Sequence, residues 1–367
     1  MRAIISGGGT GGHIFPAISI AEAIRRREPD SEILFVGAEG RMEMERVPAA
    51  GYRIIGLPVA GLKRSLSLSN LSLPFKVAKS IKKARRIIKE FRPDIVIGVG
   101  GYASAPTLWA AQRLSIPTLI QEQNSYAGLT NKIIGRKADR ICVAYSGMER
   151  FFPKDRIILT GNPVRSSIHR PLPEEREEAL LHYGLDSNKK TVFIVGGSLG
   201  SGTLNNSVRK WINDGQPGGE GIQLIWQCGK AYMDGVRQFM SHSGAHDIRF
   251  FDFIDRMDLA YAAADLVVSR SGAGTISELC IAGKAVIFVP SPNVTEDHQT
   301  HNAMALVNRE AAKIVSDAQA PERLMDCAVS LVKDDLSLRM LEKNIAGLAR
   351  PDASEAIAEE IFSTCKK

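Results

Sequence analysis

Residues 264–283 read ADLVVSRSGAGTISELCIAG, and this stretch decides the fold. Residues 265–269 form a short apolar run of strand type, 270–274 a glycine-broken turn, and 275–282 a segment of helical composition. A strand that delivers a helix N-terminus at its carboxyl end is the repeating step of an open parallel sheet, and such sheets hold their ligands at that end. Unpaired backbone N–H groups and the helix dipole favour an anion there, such as a phosphate or pyrophosphate. Glu278 is placed to accept both hydroxyls of a ribose. Thr275-x-x-Glu278 fits a capping box equally well, and the spacing alone leaves both readings open.

Working outward, 367 residues are too many for one ordinary core and enough for two domains. An apolar content of 44% and a charged content of 24% belong to a globular protein. No apolar run approaches the roughly 18 residues of a membrane span. The opening MRAIISGGG enters a strand and a turn at once, which leads us to expect a cytoplasmic chain. Cys142, Cys228, Cys280, Cys327 and Cys365 lack C-x-x-C spacing, so reduced thiols are expected rather than a disulfide framework or a zinc site. The net charge of +7 is local: residues 62–92 hold ten basic side chains and one acid, a net +9, which leaves the remainder at −2.

The first half opens with a strand over 3–6 and SGGGTGGHIFPA over 6–17, then a helix expected from about Pro16 to Arg27. Gly7-x-Gly9-x-x-Gly12 matches the dinucleotide fingerprint, which serves a nicotinamide cofactor, another phosphorylated ligand or simply a tight turn. Further strands are expected over 33–36, 53–57, 94–99, 117–120, 140–144 and 156–159. A second glycine turn, GVGGYAS, covers 98–104, and a helix follows over about 105–114. The strand at 117–120 ends in Gln121, Glu122, Gln123 and Asn124, polar residues at a rim where a substrate is gripped. The second half repeats the plan, with strands at 191–195, 222–227, 248–251, 266–269 and 285–289, GGSLGSG over 196–202 and a helix over 204–213. The reading is an α/β chain of two doubly wound parallel-sheet domains facing a cleft. The first covers 1–163 and the second 164–350, and residues 351–367 form one more amphipathic helix whose docking site the residues alone do not reveal.

Inside the basic segment, Val77, Ile81, Ala84, Ile88 and Phe91 recur at helical spacing and mark a buried face. A solvated helix on the sheet explains that pattern, but surface helices usually balance their charge with acids. Attraction to anionic phospholipid is the functional reading, with Leu66, Leu68, Leu71, Leu73 and Phe75 as insertion residues. No aromatic or zinc-finger pattern accompanies the charge, so nucleic acid is not expected as a partner.

SGGGTGGHIFPA, QEQN followed by AGLTN, GNPVR, GGSLGS, FIDRM, RSGAGTISE and DHQTHNA occur in this order between residue 5 and about residue 303. In that combination the chain resembles the MurG family of peptidoglycan glycosyltransferases. The resemblance implies a GT-B fold of two Rossmann-like domains, with the C-terminal helix crossing back onto the first. It implies inverting transfer of N-acetylglucosamine from UDP-N-acetylglucosamine (UDP-GlcNAc) to the muramoyl sugar of lipid I, giving lipid II, by a peripheral protein at the cytoplasmic face of the membrane. It assigns donor contacts to Thr10, Gly11, Gly12, Asn124, Arg165, Ser198, Ile254, Ala273, Gly274, Thr275, Ile276, Ser277, Glu278 and Gln299, and the catalytic base to His13. One departure is Gln121, where the family usually has histidine.

Elementary chemistry fits the resemblance. An imidazole of pKa about 6.5 takes a proton near neutral pH, although a histidine in this place also serves as a helix cap. The chain has no Asp-x-Asp with which nucleotide-sugar transferases hold a divalent ion. Neither metal nor cofactor is therefore expected, and leaving-group charge falls to helix N-termini, loop amides and Arg165 or Arg270. His298 and His301 lack the further ligand a zinc site needs. Rival readings are a UDP-sugar 2-epimerase or glycolipid glucosyltransferase of the same fold, a dehydrogenase with Glu39 beyond the second strand, and a non-catalytic basic adaptor.

Overall fold

The computed structural model describes residues 1–9, 11–59, 73–197 and 199–365, apart from the side chains of residues 73, 74 and 295. The chain divides into two compact units, Met1–Arg165 with Arg350–Lys367, and Ser166–Ala349.

The first unit carries β1 (Arg2–Ser6), β2 (Glu32–Ala38), β3 (Arg53–Leu57), β4 (Ile95–Gly98), β5 (Thr118–Glu122), β6 (Arg140–Val143) and β7 (Ile157–Leu159). They pair in the order β3-β2-β1-β4-β5-β6-β7, every ladder parallel. The strands are apolar on both faces because helices cover both, as parallel sheets require. Ala3, Ile5, Phe35 and Ile97 face the Gly11–Arg27 helix, through Ile14, Ala17, Ile20 and Ile24, and the C-terminal Ala353–Cys365 helix, through Ile357 and Ile361. Ile4, Leu34, Val36 and Val96 face the Leu73–Phe91 and Ser104–Arg113 helices through Ala84, Ile88, Leu108 and Ala111. At its surface the C-terminal helix pairs Glu355 with Arg26 at 2.8 Å and Glu360 with Arg140 at 3.5 Å.

The second unit carries β8 (Lys190–Val195), β9 (Ile222–Gln227), β10 (Ile248–Phe251), β11 (Leu266–Ser269), β12 (Val286–Phe288) and β13 (Lys313–Ile314). Their order is β10-β9-β8-β11-β12-β13, again all parallel. Val192, Ile194, Leu224, Trp226 and Val268 pack against the Gly202–Asn213 and Ala320–Val332 helices. All five cysteines are unpaired, and Cys142, Cys228 and Cys280 are buried.

Three expectations are corrected. The first helix begins at Gly11, not near Pro16, which lies inside it; the proline removes the one N–H that would bond Gly12, and the helix runs through the loss. On the Leu73–Phe91 helix the buried line is Ser80, Ala84, Ile87 and Ile88, whereas Val77 is 44% exposed. Finally, β13 is a strand the pattern did not reveal. Leu66, Leu68 and Leu71, with the rest of 60–72, lie outside the described residues, as does the side chain of Leu73.

Candidate active site

In each sheet the strand order reverses beside the first strand, between β1 and β4 and between β8 and β11. Loops that leave the two strands in opposite directions open a crevice there.

In the first unit two glycine loops meet at this point. Gly101 has φ +84°, and a Cβ on it would lie 2.2 Å from the Gly8 carbonyl oxygen; one on Gly7 would lie 2.2 Å from Val99 Cγ2. Only glycine lets these backbones touch. Gly11 and Gly12 form the first turn of the Gly11–Arg27 helix, and Thr10 lies outside the described residues. His13 is the helix's third residue and so does not cap a helix starting at Pro16. Its ring lies against Gly100, where a Cβ would come within 2.7 Å of Cε1, and its Nδ1 is 3.1 Å from Gln123 Oε1.

Glu43 was missed by the sequence reading. Its carboxylate is buried beneath the first loop, where Oε2 accepts from Gly9 N at 2.9 Å and Oε1 from Ala38 N at 2.9 Å. Gly8, at φ +147°, has no room for a side chain because a Cβ would fall 2.1 Å from Oε1. The amide that a dinucleotide fingerprint aims at a pyrophosphate is thus bonded to an anion of the chain itself. Glu39, which a dehydrogenase needs for a ribose, pairs with Lys83 at 2.8 Å.

At the end of β5 the polar run is mostly internal. Gln121, Glu122 and Gln123 are buried and only Asn124 is half-buried, so the rim is organised by these side chains rather than lined by all four. Gln121 Nε2 donates to Asn162 Oδ1 at 2.8 Å, and Asn162 Nδ2 to the Gln123 carbonyl at 3.0 Å. Gln123 Nε2 donates to the Val99 carbonyl at 2.8 Å and to Gln121 Oε1. The Glu122 carboxylate accepts from Asn124 N at 3.0 Å and Asn131 Nδ2 at 2.8 Å, while burial pushes its pKa up. Arg165 is exposed and is the last residue of the unit's first segment.

In the second unit the Gly202–Asn213 and Ala273–Ala282 helices start beyond the adjacent strands β8 and β11, bringing two helix N-termini to one sheet edge. Ser198 lies outside the described residues. Gly272 is the N-cap of the second helix and no side chain caps it. The capping-box reading therefore fails: Thr275 is the third helical residue, and Glu278 lies in the second turn rather than the first, buried, accepting from the Tyr261 hydroxyl at 3.1 Å. Ala273, Gly274, Thr275 and Ser277 are half-buried along the first turns, Ile276 is buried, and Ser277 Oγ donates back to the Ala273 carbonyl at 3.0 Å. Gln299 joins this end of the helix, its carbonyl accepting from Ser271 Oγ at 2.9 Å and its Oε1 from Ser291 N at 2.9 Å. Ile254 is buried in the loop after β10. Arg270 is tied inward, Nη1 donating to the Val289 carbonyl at 3.0 Å and to Asp317 Oδ1 at 2.5 Å, and Nη2 to Ser201 Oγ at 2.6 Å. Its guanidinium joins strand ends and loops, which is a structural task rather than the anion-binding role its place in the sequence suggested.

Among the described residues no three side chains of metal-ligand type converge, and no helix is long and apolar enough to cross a membrane.

Two doubly wound units, each with glycine loops and helix N-termini at its switch point, define the GT-B class of nucleotide-sugar transferases and epimerases. The chain belongs to glycosyltransferase family 28: the family's N-terminal domain matches residues 3–143 and its C-terminal domain residues 191–357. It is 57% identical, over 100% of its own length and 97% of the relative's, to the UDP-N-acetylglucosamine--N-acetylmuramyl-(pentapeptide) pyrophosphoryl-undecaprenol N-acetylglucosamine transferase of Phocaeicola vulgatus. The protein of the same name from Bacteroides thetaiotaomicron is 55% identical over 99% of this chain and 97% of that protein. Among solved structures, MurG of Acinetobacter baumannii superposes with a TM-score of 0.80 at 28% identity, covering 99% of each chain. The UDP-GlcNAc 2-epimerase of Neisseria meningitidis shares the fold, with a TM-score of 0.68 at 15% identity over 99% of this chain and 100% of that one.

Proposed function

We propose that this chain is an inverting N-acetylglucosaminyltransferase that moves GlcNAc from UDP-GlcNAc to the muramoyl sugar of lipid I, giving lipid II for peptidoglycan synthesis. The observation that carries the reading is 57% identity along the whole chain to a transferase of that name. In this reading His13 takes the proton of the acceptor hydroxyl, whose oxygen attacks the anomeric carbon from the face opposite UDP. The bond from that carbon to the pyrophosphate oxygen breaks, the electron pair leaves with UDP, and the configuration inverts. Charge on the leaving pyrophosphate is met by glycine-loop amides and helix N-termini. The lack of any Asp-x-Asp supports chemistry without a divalent ion.

Donor contacts fall to Thr10, Gly11, Gly12, Asn124, Arg165, Ser198, Ile254, residues 273–278 and Gln299. Lipid I is anchored by its polyprenyl tail, so the enzyme works as a peripheral protein on the cytoplasmic membrane face. The described part of the basic segment supports that placement. Phe75, Lys79, Lys82, Arg86 and Lys89 recur at helical spacing, all exposed, with Phe75 at 79%.

The test is transfer of labelled GlcNAc from UDP-GlcNAc to a water-soluble lipid I analogue, beside thermal shifts with UDP-GlcNAc and with NADH. We expect transfer and a shift with UDP-GlcNAc alone. No transfer, or stabilisation by NADH, refutes the assignment.

A further inference from the structure

The structure assigns Gln123 as a positioning residue that sets the tautomer of His13, so that Nδ1 carries the proton and Nε2 the lone pair that takes the acceptor proton. This rests on the reading of His13 as the general base. An amide side chain has an oxygen that only accepts and a nitrogen that only donates, and a backbone carbonyl only accepts. Gln123 Nε2 lies 2.8 Å from the Val99 carbonyl oxygen, so its nitrogen must face that way.

The other end of the chain demands the same orientation. Asn162 Nδ2 donates to the Gln123 carbonyl at 3.0 Å, which turns Asn162 Oδ1 toward Gln121 Nε2, 2.8 Å away. Gln121 Oε1 is then the group that accepts from Gln123 Nε2. Two backbone carbonyls thus fix three buried amides, and reversing any one of them sets donor against donor or oxygen against oxygen. What remains toward His13 is Gln123 Oε1, at 3.1 Å from Nδ1. An oxygen that only accepts requires a hydrogen on Nδ1.

Gln121 makes this relay inert to pH, because an amide takes up no proton near neutrality. The titratable group nearest in sequence, Glu122, is bonded instead to Asn124, Gly128 and Asn131.

The test uses the full chain labelled with ¹⁵N, whose ring nitrogens are read by long-range proton–nitrogen correlation, with the His13 signals assigned by their loss in His13→Gln. At a pH where the ring is neutral we expect a protonated Nδ1; a protonated Nε2 in the wild type overturns the proposal. Gln123→Met, which cannot accept, should release the ring toward the Nε2-protonated form. It should lower kcat roughly 10- to 10³-fold, below the ~10⁴-fold cost of a wrong tautomer in a serine-protease triad, while KM for UDP-GlcNAc stays within a few-fold. Gln123→Glu restores an acceptor and should restore the Nδ1-protonated form. Its carboxylate also favours imidazolium, so the acid limb of the kcat profile should move to higher pH. If Gln123→Met lowers kcat while His13 keeps its Nδ1 proton, the residue serves the fold alone and the proposal fails. If the wild type shows the Nδ1 proton but transfers no sugar, the functional reading falls and the tautomer assignment stands.

Discussion

The Tyr261 hydroxyl donates to Glu278 Oε2 at 3.1 Å and so joins the Met257–Ala263 helix to the Ala273–Ala282 helix. With Gly272 as N-cap, Glu278 has no helix end to cap, and its carboxylate is aimed by a tyrosine. We predict that Glu278→Ala weakens UDP and UDP-GlcNAc binding together by roughly 1.5 to 3 kcal/mol, the value of a hydrogen bond to a charged group. Tyr261→Phe should cost about 1 kcal/mol of stability and leave UDP affinity within about threefold. Calorimetric titration with UDP, beside urea denaturation, reads both. Unchanged UDP affinity in Glu278→Ala would show that the carboxylate serves the fold and not the nucleotide.

The parts of this fold that were legible were those in which residue type follows from a local demand. Gly7, Gly101 and Gly200 stand where any Cβ would strike backbone or a packed side chain, so the glycines by themselves mark the loops in the sequence. The alternation of Ile4 and Ile5 between two cores follows from a sheet covered on both faces, and it reads as a continuous apolar run. Glu43 was not legible, because it meets Gly9 across 34 positions of sequence that carry no periodic signal. The docking of the C-terminal helix depends on Ile357 and Ile361 reaching Ile14 and Ile20 from the opposite end of the chain. The two-residue β13 is too short for any alternation to appear.

Arg270 gives a second prediction. It joins the Val289 carbonyl, Asp317 and Ser201 in a largely buried knot. Removing one partner of a buried pair leaves the other charge uncompensated. Arg270→Met should therefore cost about 3 kcal/mol, the low end of the usual range because Asp317 keeps some water. Urea denaturation measures the loss. A variant of wild-type stability with poor UDP binding would return Arg270 to the anion ligands.

Glu43 makes a third. Both of its oxygens accept backbone N–H groups, so Glu43→Gln must point one N–H at another. We expect roughly 1 to 3 kcal/mol of lost stability and slower transfer, because the distorted loop leads into the turn that carries His13. NADH should protect neither form. Full stability and full turnover in the glutamine variant would show that the carboxylate is dispensable there.

Lys284 supplies a pH test. Its Nζ donates to the Ala264 carbonyl at 2.9 Å, and burial lowers its pKa from 10.5 to about 8 despite nearby Glu342. Below pH 8 the amine is charged in both states, and the burial penalty lies fully on the folded one. Between pH 8 and 10.5 the unfolded chain holds more protons at this site, so the contribution of Lys284 to stability should rise with pH, by roughly 1.4 kcal/mol per unit at the steepest. Cys280, raised by burial from 9.0 to about 12, Cys365, raised to about 11, and Tyr183, raised to about 12, oppose this from about pH 9 upward, but they are common to wild type and variant and cancel in the difference between them. The stability difference between wild type and Lys284→Met, followed by urea denaturation from pH 7 to 10, should grow in favour of wild type. A flat difference would mean that Lys284 titrates normally.

The last prediction concerns the exposed stripe of the Leu73–Phe91 helix. Lys79, Lys82, Arg86 and Lys89 follow Phe75 along one solvent face; Glu90 lies within 3.7 Å of Arg86, and Lys83 is already held by Glu39. If this face docks on anionic lipid, vesicle binding should rise with anionic lipid content and fall with salt. Each basic residue near such a surface contributes about 1 kcal/mol, screened over a Debye length of about 10 Å at 0.1 M salt. Replacing the four cations with glutamine should cost several kcal/mol at most on vesicles, and Phe75→Ser a further, salt-insensitive part. Turnover on a short-chain, water-soluble acceptor should survive both changes, since none of these side chains belongs to the proposed donor or base contacts. Salt-insensitive binding to neutral vesicles would point to apolar insertion alone. Lost turnover on the soluble acceptor would place the stripe in acceptor binding or in the fold itself.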